Sequence, residues 1–198
     1  MLGEPTVSWQ TKRRETTRNA ILDAAWDVAR EQGLAALTLR AVAERVGMRA
    51  PSLYSHFDSK HAIYDAMFGQ AWAAYEAEAA ATELPANPRA ALRAAAHRFF
   101  DFSVADLARH QLMNLRTIPD FTPSAASYKP AVRVLDNLRA FLRSIGLSAD
   151  EDVDLYTALV GGLVDQQWAN DPGGDRWKRL VDRAVDMYAD ATNLLKES

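Results

Sequence analysis

Apolar side chains recur every three or four residues along most of this chain and almost never alternate, which predicts helices and no sheet. Over residues 18–32, Ile21, Leu22, Ala25, Val28 and Ala29 share one helical face, and Gly33 closes the segment. Leu39, Val42, Ala43 and Val46 then repeat the stripe at i, i+3, i+4 and i+7. Thr38 precedes them and can cap the helix through its hydroxyl. Gly47 can both end that helix and make a turn, because glycine enters the left-handed region without steric cost. Pro51 stands where a second helix begins, having no N–H to lose there. In this second helix Leu53 and Phe57, four apart, face inward. Arg49, Ala50, Ser52, Tyr54, Ser55 and His56 are left for its other sides.

The pattern continues downstream. Asp58 or Ser59 can cap a long helix from Lys60 to about Thr82, with Ile63, Met67, Ala71, Ala74 and Tyr75 inward and Gly69 weakening it slightly. Asn87 caps the next helix, with Pro88 in first position. It runs over 88–108 and carries Leu92, His97, Phe99, Phe100, Phe102 and Leu107. A shorter piece over 109–117 stops before Pro119. The stretch DFTPSAASYKP reads as loop, its later half starting a helix to Ser144 that has Pro130 in its first turns and Gly146 beyond its end. Ser148 and Glu151 form a capping box for a helix over 149–169. Asp171-Pro172-Gly173-Gly174 is a turn, and a last helix covers 175–195. One face of the first of these two final helices holds Val153, Tyr156, Thr157, Val160, Gly161, Val164 and Trp168. The second presents Trp177, Leu180, Val181, Ala184, Met187, Tyr188, Ala191 and Leu195.

Composition narrows the function classes. The 198 residues allow one large domain or two small ones, and 48% hydrophobic content suffices for a core. With no cysteine, disulfides, thiolate metal sites and thiol switches are excluded. No apolar run is long enough to span a bilayer, and the N-terminus lacks a signal-peptide core, so a cytoplasmic protein with no membrane partner is expected. No Gly-rich phosphate loop, nucleophile elbow or His-Glu metal motif is present. Neither enzymatic activity nor a cofactor is therefore expected. The net charge is −3, but residues 1–60 hold nine Lys and Arg against seven Asp and Glu. The basic excess sits where the two short helices are.

Two short helices joined by a tight turn, over Thr38 to Lys60, are the outline of a helix-turn-helix, which lays its second helix in the DNA major groove. Arg49 and Ala50 open that helix. Arg49 can bond guanine O6 and N7 in bidentate fashion. Ala50 and Pro51 can touch a thymine methyl. Thr38 and Lys60 sit at helix starts, where N–H groups and positive charge favour phosphate. Arg40 can reach a base or a phosphate. Lys12, Arg13, Arg14 and Arg18 read as a flexible basic arm along the DNA backbone or minor groove.

The blocks ILDAAWDVAREQG, LTLRAVAERVGM and PSLYSHFDSK, in this order and spacing, resemble the TetR family of bacterial transcription regulators over roughly Thr16 to Ala71. The resemblance implies an all-α fold. An N-terminal three-helix helix-turn-helix DNA-binding domain over 14–62 would be joined by a long fourth helix to a helical ligand-binding and dimerisation domain over 63–198. It implies that Ser52, Tyr54 and His56 bond or flank phosphates; Ala50 departs from a family position that is often polar or charged. It implies a homodimer on an inverted-repeat operator in double-stranded DNA, and a pocket for a small-molecule effector among the middle helices. Candidate lining residues are Trp72, Phe99, Phe100, Phe102, Met113, Phe121, Tyr128 and Trp168. His97 and His110 are candidates to orient a polar group. In the family the last two helices build a four-helix bundle between subunits. Here Tyr156, Val160, Gly161, Val164, Leu180, Ala184, Met187 and Tyr188 are the candidates for that interface. A ligand favouring wrongly spaced recognition helices would release DNA, with the fourth helix as lever. Repression is the default outcome; activation, corepressor dependence and nonspecific architectural binding are the alternatives. The acidic remainder of the chain, with fourteen Lys and Arg against nineteen Asp and Glu, disfavours the last.

Overall fold

The computed structural model describes residues 9–194, and within them every regular element is helical. In chain order these are α1 (Trp9–Gln32), a 3-10 turn at Leu34–Ala36, α2 (Leu39–Val46), α3 (Ala50–Tyr54), α4 (Lys60–Ala81), α5 (Pro88–Val104), α6 (Leu107–Asn114), α7 (Ala125–Ser144), α8 (Asp150–Asn170), a second 3-10 turn at Lys178–Leu180, and α9 (Val181–Ala191). No helix among the described residues is long and apolar enough to cross a membrane.

Helix α1 starts earlier than its apolar stripe does. The expected flexible arm at Lys12, Arg13, Arg14 and Arg18 is helical. Long-chain basic residues lose little rotamer freedom in a helix. The Thr16 and Thr17 hydroxyls donate to the carbonyls of Lys12 and Arg13 at 2.9 and 3.0 Å. The next elements follow local signals. Thr38 caps α2 by accepting from the Ala41 N–H at 3.0 Å, and Gly47 ends α2 at φ 73. Ser59 rather than Asp58 caps α4, accepting from Ala62 N–H at 3.0 Å.

Two apolar cores result. The first gathers α1 to α4 and extends into the second half of the chain through Phe102, Ala108, Leu112 and Met113. The second gathers Leu92 and Phe100 of α5, Leu142 of α7, and the inner faces of α8 and α9. Helix α4 buries a wider stripe than expected, adding Tyr64 and Phe68, because the first core lies on one side and α7 packs along another. Ala74 falls outside that stripe and is exposed. Gly69 has a packing role: a Cβ there would meet the Ser127 Cα at 3.3 Å. Asp65 fastens the same crossing, accepting from the Ser124 N–H at 2.6 Å and from the hydroxyls of Ser124 and Ser127 at 2.9 and 2.7 Å.

Three boundaries differ from the sequence expectation. Asp106 interrupts the helix expected over 88–108, because its carboxylate accepts from the Arg109 N–H at 3.0 Å and starts α6. The Ser148–Glu151 box does not form; α8 begins one residue later, with the Asp152 carboxylate accepting from Ala149 N–H at 3.3 Å. The helix expected over 175–195 is shorter. Buried Gln167 accepts from Trp177 N–H at 2.9 Å, holding the incoming chain across α8 before α9 starts. Asn193, at φ 57, stands just past its end, and Leu195 lies outside the described residues.

Candidate DNA interface and effector cavity

The recognition helix α3 is short and is held from below. Leu53 and Phe57 are fully buried, so the remaining sides of α3 point away from the core. Arg49 occupies the N-cap position with extended backbone and is exposed. Pro51, Ser52 and Ser55 are exposed, and Tyr54 is 53% exposed. Ala50 and His56 are half-buried. The Ser55 hydroxyl donates to the Ser52 carbonyl at 2.7 Å, which tightens the end of the helix.

Arg18, expected in the arm, instead braces α3 from α1. Its Nη1 donates to the His56 carbonyl at 2.9 Å, and its guanidinium lies 3.9 Å from the Phe57 ring centroid. Arg14 is one turn earlier on the same helical face and exposed. Arg13 is also exposed and sits 5.5 Å from the Trp9 ring centroid. The bundle is fastened elsewhere by Arg45 of α2, which grips Glu31 of α1 through both guanidinium nitrogens. That contact holds the Glu31 carboxyl below its usual range.

Two helix starts flank α3. Thr38 at the start of α2 is exposed, and its hydroxyl oxygen accepts the capping bond from the Ala41 N–H. Lys60 opens α4, with its ammonium 5.8 Å from the Tyr64 ring centroid. Arg40 is exposed and pairs with Glu44 one turn on at 2.9 Å. An exposed pair of this kind is weakly held and exchanges easily for a phosphate.

A cavity of about 800 Å³ lies among α4, α5, α6, α7 and α8. Of the expected lining residues, Trp72, Phe99 and Tyr128 are in its wall. The other five are not. Phe100 belongs to the second core, and Phe102 and Met113 to the first. Phe121 packs on Tyr64 and His61 at 5.7 and 6.0 Å between ring centroids. Trp168 turns its indole N–H to the Ser103 carbonyl at 3.3 Å. The physical reason is angular: Phe99, Phe100 and Phe102 leave α5 in different directions, and only the first faces the cavity. His110 is in the wall and buried, with Nε2 2.8 Å from Asp165 and Nδ1 3.2 Å from the Asn114 amide. His97 is outside it, 2.8 Å from Asp182.

Sequence reasoning missed Arg98 and Tyr75 as wall residues. Tyr75 sits edge-on to Phe99 at 5.4 Å, and burial raises its phenol above the ordinary range against an opposing bond from Arg98. The one available signal was a cation inside AAAHRFFDF, which reads equally well as a solvated helix face. Glu76, also in the wall, is clasped by Arg133 of α7 at 2.5 and 2.7 Å, which lowers its carboxyl.

The expected interface residues divide by burial. Tyr156, Val160, Val164 and Tyr188 are buried inside the subunit, because the 3.6-residue stripe they form faces α5 and each other. They are not open to a second copy. Gly161 faces the cavity, and a methyl group in place of its hydrogen would meet nothing within 4 Å. Ala184 is half-buried, while Leu180 and Met187 are 38% and 64% exposed. Leu155, on the same outer side and absent from the expected set, is 54% exposed.

Residues 21–67 match the family model for bacterial regulatory proteins of the tetR family. The chain is 29% identical over 162 residues to the tetracycline repressor protein class A from transposon 1721 of Escherichia coli, covering 80% of this chain and 70% of that one. Among solved structures it superposes on the TetR family regulator PfmR from Thermus thermophilus with a TM-score of 0.65 at 22% identity, covering 85% of this chain and 96% of that one. The regulator FadR from Bacillus subtilis, in complex with stearoyl-CoA, gives a TM-score of 0.66 at 16% identity, over 86% and 96% of the two chains. These structural likenesses concern the fold alone. With the helix-turn-helix geometry, the family model and the repressor relative in agreement, residues 21–67 carry the DNA-binding module of the tetR family, and the chain beyond it is similar to regulators of that family.

Proposed function

We propose that this regulator binds an inverted-repeat operator as a homodimer, acts as a repressor, and is released when a small molecule fills the cavity among α4 to α8. The observation that carries the DNA part is the outward polar surface of α3, with Leu53 and Phe57 locked beneath it. Arg49 reads a guanine at the start of α3. Ala50 and Pro51 pack on a neighbouring methyl. Ser52, Tyr54, Ser55 and His56 bond or flank phosphates. Thr38, Lys60, Arg13 and Arg14 add backbone contacts around them, and Arg40 joins them by leaving Glu44. Phosphate contacts fix register and base contacts supply sequence.

A helix of this size reads few base pairs, so two copies are needed. The outer side of α8 and α9 supplies the contact. Leu155, Leu159 and Leu163 recur at i, i+4 and i+8 on α8, beside Leu180, Ala184 and Met187. This apolar side is the one the subunit leaves at least partly open. The ligand part is supported by the cavity and by the relative's description as a tetracycline repressor and the neighbour's complex with stearoyl-CoA. Helix α4 spans both halves, running from Lys60 beside α3 to the cavity wall at Trp72 and Tyr75. A ligand that shifts α4 changes the spacing of the two α3 helices, and DNA must then weaken ligand binding equally.

Selection from a random duplex library at about 0.15 M salt tests the reading. Enrichment of an inverted repeat with half-sites about one helical turn apart is expected. Enrichment of a single asymmetric half-site, or of nothing with chain that is folded, contradicts it.

A further inference from the structure

We infer that the cavity takes an anionic amphiphile: an apolar body carrying a carboxylate or similar oxyanion, with the oxyanion held by Arg98 and Trp72. This rests on the ligand-responsive reading above and names the chemistry of the ligand.

The unpaired polar atoms of the wall are all of one kind. Arg98 Nε and Trp72 Nε1 are buried without a hydrogen-bond partner, and both residues line the cavity. Each atom can only donate. Among the described residues, no buried side-chain oxygen is left unpaired in the wall. A molecule that completes this wall brings acceptors. Buried donors left unmatched are costly, so their satisfaction favours binding.

Charge points the same way. Both carboxylates of the wall are engaged, Glu76 in an ion pair with Arg133 at 2.5 Å and Asp165 in a hydrogen bond with His110 at 2.8 Å. Arg98 has no carboxylate within ion-pair distance among the described residues. Its Nη1 reaches the Ala79 carbonyl at 3.4 Å, and its charge opposes the rise that burial gives the Tyr75 phenol. A guanidinium stays charged under all ordinary conditions. The wall therefore presents a half-buried cation whose counter-charge has to come from what enters.

The layout selects an amphiphile over a uniformly polar molecule. Trp72, Tyr75 and Ala79 lie on successive turns of α4, with the Trp72 and Tyr75 rings in edge contact at 6.3 Å, and Arg98 meets them from α5. Both donors thus lie along the α4–α5 side of the wall. Helix α7 contributes mostly apolar side chains to the wall, Ala131, Val134, Leu135, Leu138 and Phe141, with Tyr128 and Asn137 beside them. The second polar patch, His110 with Asp165 and Asn114, is satisfied internally.

The test titrates the full chain with dodecanoate and with dodecanol, which share a body and differ in the head. Binding is read by calorimetry, alongside thermal melts and DNA affinity. Dodecanoate should bind about tenfold or more tightly than dodecanol, as loss of a charge-assisted bond implies. Arg98→Gln should remove that preference while leaving dodecanol affinity, melting and DNA binding within about twofold. Trp72→Phe, which keeps an aromatic ring against Tyr75 and deletes one donor, should weaken dodecanoate selectively. Equal binding of acid and alcohol to the unaltered chain overturns the inference, as does a preference that survives Arg98→Gln. Binding of neither compound also overturns it. If DNA is still bound in that case, the regulator reading stands; if DNA is not bound either, that reading falls too.

Discussion

Arg30 of α1 donates from Nε to the Asp106 carboxylate at 2.8 Å, tying the DNA-reading bundle to the first turn of α6. The other Asp106 oxygen caps α6, and one turn along the same helix His110 reaches the cavity wall. One carboxylate therefore starts a helix and joins two parts of the molecule. Asp106→Ala should lose about 2 kcal/mol, combining the cap with the ion pair, whereas Asp106→Asn should keep most of the cap. In a double-mutant cycle with Arg30→Ala, the combined loss should fall short of the sum by about 0.5–1 kcal/mol. Strict additivity in chemical denaturation would mean that the two side chains do not interact in solution.

Arg18 and Arg13 should behave differently although both are basic residues of α1. Arg18→Ala removes a bond to the His56 carbonyl and the contact over Phe57, so it should lower both the melting temperature and DNA affinity. Arg13→Ala should lower DNA affinity alone and reduce the salt slope by about one. Differential scanning fluorimetry beside binding titrations at two salt concentrations separates them.

Arg49→Ala should relax discrimination at one base pair, at a cost of about 1–3 kcal/mol on the preferred site. Lys60→Ala should weaken every site alike. Titration of both variants against duplexes substituted one base pair at a time provides the comparison. Equal losses on all duplexes for both variants would overturn the division of roles.

Met187→Glu together with Leu155→Glu should give a folded monomer, because both positions are already exposed in the subunit. Val160→Glu should instead lower stability by several kcal/mol, since it puts a charge into the second core. Sedimentation equilibrium at about micromolar concentration, paired with circular dichroism, distinguishes loss of assembly from loss of fold.

The Glu76–Arg133 clasp should leave a pH signature. Arg133 holds the Glu76 carboxyl below its ordinary value, so the ionised form is favoured by folding. Its contribution is complete above the ordinary glutamate range and is lost as pH falls through the lowered value. The melting difference between the unaltered chain and Glu76→Gln should be present near neutrality and vanish in acid. A difference that persists unchanged in acid would show that packing of the side chain, not its charge, is responsible.

The helix-turn-helix was legible in the sequence because its signals act over a few residues. Thr38, Gly47 and Pro51 each satisfy or remove a backbone donor locally, whatever the rest of the chain does. The same holds for Asn87 before Pro88, whose side chain accepts from the Ala90 N–H at 3.0 Å. The cavity was not legible to that degree. Its wall depends on how far α7 stands from α8, and no periodicity encodes a gap between helices. Tyr156 and Val160 show the related difficulty at the subunit surface. An apolar stripe says that one face is covered but not whether the cover is the same chain or another. Leu155, one residue from Tyr156, carries the outward side.

The central claim is that two copies of this chain read one two-fold-symmetric site. The most direct measurement is the mass, by sedimentation velocity, of the complex on the selected inverted repeat and on the same duplex with one half-site scrambled. Two chains on the intact repeat, and a drop in affinity of at least about a hundredfold on the scrambled duplex, are the predicted result. One chain per duplex, or equal affinity for both duplexes, would contradict it.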